Sequence, residues 1–435
     1  MVKRIFYSLF ILFSYNYSNS QQLYFPPVGS ETWETTSPEE LNWCTDEIPA
    51  LLDFLEETNT RAFLVLKDGK IVIEEYLNGN TTNTPWYWAS AGKSLTAFLV
   101  GMAQQEGYLD INESSTNYLG EGWTSLTPEE ELAITIRHQL TMTSGLDDGV
   151  EDIYCTNPEC LTYLSAPGTR WAYHNAPYTL LDSVIFYSTG QSINSYLSNT
   201  LSDVTGINAL FLPNGFNNVC YSRPRAFARF GILMLGEGTW NGTPVMTDMQ
   251  YFNDMITPSN DLNESYGYLW WLNSQDSFMI PSVQWVFPGT PMEAAPLDIY
   301  SALGKNGQIL NIVPSQNLLV VRMGDAPDGN EFLVPTAYNN EIWEKLNMVI
   351  CNSVATEEMQ NSEFKIYPNP TEDIVYFDVM HASASDRMLI SNMLGSIVYD
   401  GAPLNQLSVR EFDSGVYEVQ LFIKNSKRTS RFIVR

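Results

Sequence analysis

Ser90-Ala91-Gly92-Lys93 places a hydroxyl three residues ahead of an amine. On a helix that spacing brings the two side chains to one face, one turn apart. A serine at a helix N-terminus sits at the positive end of the helix dipole, which favours the oxyanion formed when its Oγ attacks a carbonyl. The amine is placed to take the hydroxyl proton if it is neutral part of the time, which needs burial or a second cation nearby. The pair therefore spells nucleophilic attack on an ester or amide with an amine as base. Taken alone, such a spacing arises by chance in any long chain, and a solvated helix start would read the same way.

Other chemistries find little support. Only His138, His174 and His381 occur, with no His-Glu-Xaa-Xaa-His and no His, Cys and carboxylate cluster at ligand spacing, which argues against metallohydrolase chemistry. Cys155 and Cys160 lack a second Cys or His pair to complete a zinc site. Gly92-Lys93-Ser94 imitates the end of a phosphate-binding loop, but Tyr87 stands where the upstream glycine is required. No Gly-Xaa-Ser-Xaa-Gly elbow is present, so a serine nucleophile here needs a base other than the usual histidine.

The elements that must hold Ser90 can be read around it. Leu95, Phe98, Leu99 and Met102 recur on one side of residues 90–106 and Gly107 is a stop, which predicts a helix. Apolar runs at 62–66 and 71–76 flank Lys67-Asp68-Gly69-Lys70 and predict a β-hairpin. Runs at 308–313 and 317–323 around Pro314-Ser315-Gln316 predict two late strands. Strands at both ends and a mostly helical middle predict an α+β body, one sheet flanked by helices and shared by its N- and C-terminal parts. The loops between 200 and 300, which would shape a pocket, stay unplaced.

Two further segments follow in order: Tyr173-His174-Asn175, and Gly304-Lys305-Asn306-Gly307-Gln308 at the opening of a late strand. Ser-Xaa-Xaa-Lys, Tyr-Xaa-Asn and Lys-Xaa-Gly in this order resemble the serine β-lactamase and penicillin-binding protein superfamily, in its class C-like branch. Leu140-Thr-Met-Thr-Ser-Gly-Leu146 and Tyr266-Gly-Tyr-Leu-Trp-Trp271 resemble recurrent stretches of that branch, with Leu269 where glycine is usual. The Gly307-Gln308 continuation toward Val313-Pro314 looks like its hydrolase and esterase members. The resemblance spans roughly residues 40–350 and implies a β-lactamase/transpeptidase-like antiparallel sheet with flanking helices and a helical subdomain.

It also implies roles. Ser90 would be the acylated nucleophile, and Lys93 with Tyr173 the proton-transfer system, their nearby pKa values lowered by a second cation. Asn175 would hold the substrate amide or the Lys93 amine, and Lys305 would supply the extra charge and dock a substrate carboxylate. The backbone N–H groups of Ser90 and Gln308 would form the oxyanion hole, with Asn306 and Gly307 beside them. No metal or organic cofactor is implied. Each residue also has a plainer reading: Tyr173 as a core aromatic, Asn175 as a helix cap, Lys305 as a turn residue. His174 is the variable middle residue, His138 is structural, and Trp86, Trp88, Trp270 and Trp271 either line a cleft or pack a core. Asn306 stands where β-lactamases carry Thr or Ser, which counts against efficient β-lactam hydrolysis. The expected activity is a secreted serine hydrolase acting on an amide or ester of a small molecule or short peptide. A D-amino-acid peptidase or carboxypeptidase, and a non-catalytic penicillin-binding-like protein, are the alternatives.

Composition sets the compartment. The chain carries 22 Lys+Arg against 50 Asp+Glu, a net charge of -28, which repels phosphate backbones and argues against nucleic acid as a partner. Residues 21–360 hold 12 basic and 41 acidic side chains, residues 361–435 hold 8 and 9, so an acidic body and a near-neutral tail are expected. Lys3-Arg4, an apolar run to Phe13 and Ser18-Asn-Ser20 read as a signal peptide over 1–20, and no later apolar stretch is long enough to span a bilayer. Cys155 with Cys160, and Cys44 with Cys351, could pair, leaving one of the five cysteines over. The body is expected over 21–351, a linker over 352–363, and a small β-sandwich over 364–435. In that tail Tyr367-Pro-Asn-Pro370, Leu394-Gly-Ser-Ile-Val-Tyr399, Ser414-Gly-Val-Tyr417 and the basic end from Lys427 resemble type IX secretion C-terminal sorting domains. This resemblance implies the type IX machinery as partner, with the protein secreted or at the cell surface.

Overall fold

The computed structural model of the chain describes residues 23–327, 329, 334–351, 366–371, 373–377, 387–392, 397–410, 412, 414–423 and 426–435. The expected leader, the expected linker and His381 lie outside the described residues. The chain divides into two compact units, Met1–Ile350 and Cys351–Arg435, with separate apolar cores.

The first unit is built on six antiparallel strands: β1 (Thr60–Lys67), β2 (Lys70–Tyr76), β3 (Trp271–Leu272), β4 (Tyr300–Gly304), β5 (Gln308–Val313) and β6 (Leu318–Gly324). Their order is β2-β1-β6-β5-β4-β3. The early hairpin and the late strands thus share one sheet, with Val65 opposite Val320 and Leu66 opposite Leu319. Asp68 and Gly69 turn the hairpin with φ of 52° and 80°, the left-handed pair that an Asp-Gly turn supplies. β5 and β6 are buried along their whole length, which is why they read as continuous apolar runs rather than alternating ones.

Four helices matter for the site: α1 (Ile48–Glu57), α2 (Gly92–Gln105), α3 (Pro224–Leu235) and α4 (Thr336–Ile350). Leu310 and Leu319, on one face of the sheet, meet α3, where a Cβ on Gly231 would lie 2.9 Å from Leu310. Asn311 and Arg322, one pleat step away, meet Asn339 and Tyr338 of α4 on the other face. The sheet is therefore a layer between helices. Strands Ala209–Asn214 and Asn217–Ser222 form a second hairpin, paired to Trp86–Tyr87 just ahead of Ser90.

Cys155 and Cys160 are joined by a disulfide. Cys44 and Cys351 are also disulfide-bonded, and Cys220 is free and buried. The second unit has a three-stranded and a four-stranded antiparallel sheet. Tyr417, Val419 and Leu421 point alternately from strand Gly415–Ile423 into a core with Val375, Met388, Ile390 and Phe432, the two-residue period of a sandwich strand.

Candidate active site

Ser90 lies in a short 3-10 turn, Ala89–Ala91, that feeds α2. The regular helix starts at Gly92, later than its periodicity suggests, because Ala89 takes a left-handed φ of 47° and kinks the chain at the serine. Two glycines let neighbours close on this turn. A Cβ on Gly304 would lie 2.3 Å from Trp88 O and 3.1 Å from Ser90 N, so the end of β4 can rest on the serine turn only without a side chain. A Cβ on Gly92 would lie 2.9 Å from Cys220 Cβ, where the second hairpin presses from another side.

Residues 92–103 of α2 are all buried, so Lys93 points into protein rather than water. Its Nζ lies 3.1 Å from Ser90 Oγ and 2.9 Å from Asn175 Oδ1, donating to both. The rings of Tyr178 and Tyr173 stand 4.1 Å and 5.2 Å from Nζ. With the side chain 2% exposed, burial pulls the amine down to about 7. Burial alone thus does what a second cation was expected to do.

Burial pushes the Tyr173 phenol above the ordinary tyrosine value, with Ser90 nearby pulling the other way, opposite to the expected lowering. Its ring stacks on Trp271 at 5.9 Å and meets the edge of Tyr266 at 6.2 Å. The loop ahead of it is held by the 140–146 stretch: Ala172 N–H donates to Met142 O at 2.9 Å, and Gly168 N–H to Thr143 O at 2.8 Å. Asn175 opens the short helix Asn175–Thr179 immediately afterwards. Leu269 takes a φ of 62°, which explains why glycine is usual there. Its N–H donates to Leu140 O, and its carbonyl accepts from Ser94 Oγ at 2.7 Å, linking this segment to α2.

Lys305, Asn306 and Gly307 make the turn between β4 and β5. Lys305, Asn306 and Ser90 line one cleft of about 590 Å3. Asn306 has a φ of 63° and its Nδ2 donates to Tyr87 OH at 2.9 Å. Buried Arg322 fixes the turn from beneath, donating to the carbonyls of Asn306 and Gly307 at 2.7 and 3.0 Å. The Gln308 side chain turns away, bonded through both ends to the Gly324 backbone at 2.6 and 3.1 Å. The side chain is thereby withdrawn from an oxyanion hole.

The structure thus gathers Ser90, Lys93, Tyr173 and Asn175 and sets the Lys305 turn on the same cleft. His138 caps its own helix through Thr135. His174 is buried and pulled down to about 4 by burial, so it is neutral at physiological pH. Trp88, Trp270 and Trp271 are core residues. Tyr87, Asp152, Tyr154 and the hairpin tip at Phe216 also line the cleft and carried no expectation. Asn214-Gly215, an Asn-Gly hairpin signal, was available to place the tip. Asp152 sits in no motif. The hairpin is anchored where Asn218 Nδ2 donates to Asp182, whose buried carboxyl is pushed up to about 6.

Residues 54–340, well over half of the chain, match the Beta-lactamase family. The chain belongs to that family. Residues 365–435 of this Beta-lactamase family protein match the Secretion system C-terminal sorting domain, which directs it by type IX secretion to the cell surface or the medium. Among the described residues no helix is long and apolar enough to cross a membrane. An uncharacterized protein of Alkalihalophilus pseudofirmus is 25% identical over 319 residues, 64% of this chain and 88% of that one. A penicillin-binding protein homolog from Caulobacter crescentus superposes with a TM-score of 0.53 at 12% identity, over 70% of this chain and 98% of that one. A Bacillus anthracis protein assigned provisionally as a 6-aminohexanoate-dimer hydrolase gives 0.52 at 20% identity, over 71% and 82%. These likenesses show a shared fold.

Proposed function

We propose that this protein is a secreted serine hydrolase that cleaves an amide or ester bond through an acyl-enzyme on Ser90. The observation that carries the reading is the buried Lys93 amine, 3.1 Å from Ser90 Oγ and held at about 7 by burial. A neutral amine there has a lone pair for the serine proton while it keeps donating to Asn175 Oδ1. Ser90 Oγ attacks the carbonyl carbon and its proton passes to Lys93. The oxyanion is met by the backbone N–H groups of Ser90 and Gln308. As the scissile C–N or C–O bond breaks, the Tyr173 phenol gives its proton to the leaving atom and is reprotonated from the Lys93 ammonium. Water then attacks the acyl ester, sending its proton by the same route back to Ser90 Oγ. Lys305 docks a substrate carboxylate at the cleft wall. Asn306, tied to Tyr87 and lacking a hydroxyl, favours amides and esters over β-lactams.

The test is turnover of p-nitrophenyl acetate and of a chromogenic cephalosporin by the mature protein and by Ser90→Ala. Ester turnover should vanish in Ser90→Ala, and the cephalosporin should be hydrolysed roughly 100-fold less efficiently than the ester, the size of effect expected when a polar contact is missing. Ester turnover that survives Ser90→Ala would overturn the reading.

A further inference from the structure

A second cavity, of about 720 Å3, borders the 209–222 hairpin away from Ser90. Tyr221 lines both this cavity and the catalytic cleft, but Leu210 and Leu212 belong to this one alone, and Ser90, Lys305 and Phe216 only to the cleft. Arg229 of α3 forms part of its wall and is 5% exposed. The guanidinium donates only to carbonyls, those of Pro26 and Thr205 from Nη1 at 2.8 and 2.9 Å and that of Pro27 from Nη2 at 2.8 Å. Trp33 and Trp240 stand 4.9 and 5.6 Å from it. Among the described residues it has no carboxylate partner, and its Nε–H has no acceptor. Gly206, which lines the same cavity, leaves that N–H uncovered, since a Cβ there would lie 3.3 Å from Nε. A cation taken out of water without a counter-ion is costly, and an anion in the cavity would offset that cost.

The surroundings of Arg229 favour the same sign of ligand. Arg223 precedes α3, whose start has no side-chain cap, so the positive end of the helix dipole opens at the cavity. The nearest carboxylate to Arg223 is Glu31 at 3.6 Å, with both side chains more than half exposed. Arg225, by contrast, is satisfied by both oxygens of Glu74. The side chains of Thr82, Ser198 and Asn208 line the cavity and have no hydrogen-bond partner among the described residues. Residues 21–360 carry only 12 basic side chains against 41 acidic ones, so the field of the whole body repels anions and only a local cluster can hold one. The hairpin contributes a different surface. Leu210 and Leu212, two apart on strand Ala209–Asn214, share a face and line the cavity while 47% and 41% exposed. They form an apolar ledge in the same cavity as the guanidinium groups. We propose that this cavity binds an amphiphilic anion, an alkyl carboxylate or alkyl phosphate, with its head on Arg229 and Arg223 and its chain along Leu210 and Leu212. The site is separate from the chemistry at Ser90 and does not depend on it.

Calorimetric titration of wild type with octyl phosphate, octanoate, octanol and inorganic phosphate tests this. At least one octyl anion should bind, and the tighter of the two identifies the head group. Octanol and inorganic phosphate should each bind at least roughly tenfold more weakly, one for want of the charge and the other for want of the chain. Arg223→Gln, and Ser198→Phe, which fills the cavity, should each weaken the octyl anion by roughly tenfold or more. Arg229→Gln should do the same. Because it also frees the Pro26–Pro27 segment, the other two variants carry the test if it fails to fold. Lys305→Gln, in the catalytic cleft, should leave the affinity unchanged. Failure of wild type to bind either octyl anion overturns the proposal, as does octanol binding as tightly as they do. A loss of affinity in Lys305→Gln with none in Arg223→Gln also overturns it and places the ligand in the catalytic cleft.

Discussion

At the scale of single residues the chemistry turns on two buried groups moved in opposite directions. Lys93 is lowered to about 7 and Tyr173 is raised, both by burial. Near neutral pH the amine is therefore about half neutral, while the phenol keeps its proton, as the proposed base and acid roles require. The kcat/KM for a neutral ester should rise with pH through about 7 and then level off, following the neutral fraction of Lys93. A flat profile from pH 6 to 9 would contradict this. Tyr173→Phe should lower turnover of an anilide by about 100- to 10,000-fold, and turnover of a p-nitrophenyl ester far less, because nitrophenolate leaves without a proton. Equal losses on both substrates would remove Tyr173 from the acid role. Burial of the amine also links stability to pH. An unfolded lysine titrates near 10.4, so between about 7 and that value the unfolded chain holds a proton the folded one lacks, and stability rises with pH. Below about 7 both forms are protonated and the slope vanishes. The urea midpoint of wild type relative to Lys93→Met should climb between pH 8 and 10 and stay level below 7.

At the scale of elements, close approach explains the glycines and one exception to them. Gly304→Ala would put a Cβ 2.3 Å from Trp88 O, so β4 or the serine turn must shift, at a cost of about 1–3 kcal/mol. Urea unfolding should show that loss, together with lower kcat. Leu269 poses the reverse question. Its φ of 62° costs about 1 kcal/mol, but the side chain is buried, and losing it costs about 2–5 kcal/mol. Leu269→Gly should therefore destabilise despite relieving the backbone, and a more stable variant would contradict the burial argument. Much of this framework was legible in the sequence. Asp68-Gly69 marked the first hairpin, and the apolar runs marked β5 and β6. The kink ahead of Ser90 was not legible, since a 3-10 turn shares the helix's spacing over three residues and Ala89 carries no mark of positive φ. The hairpin over 209–222 was missed for a different reason. Leu210 and Leu212 are exposed on it and Pro213 interrupts it, so its apolar pattern does not report a buried face. Ser90, Tyr173 and Lys305 are distant in sequence; the sheet sets the Lys305 turn on the cleft beside Ser90, and the packing of Tyr173 on Trp271 holds its ring 5.2 Å from the Lys93 amine.

At the scale of the whole molecule, the acidic catalytic unit and the sorting unit have separate cores. A chain ended after Cys351, which keeps that bonded cysteine, should fold and turn over ester like the longer one but fail to reach the cell surface or medium. Fractionation of cells expressing both lengths checks this, and export of the shortened chain would contradict it. The central claim is a covalent bond at one serine, and intact mass reads it directly. Wild type exposed to a fluorophosphonate should gain the mass of one adduct, mapped to Ser90, and Ser90→Ala should gain none. A folded wild type that stays unmodified, or a Ser90→Ala variant that is modified equally, would contradict the account.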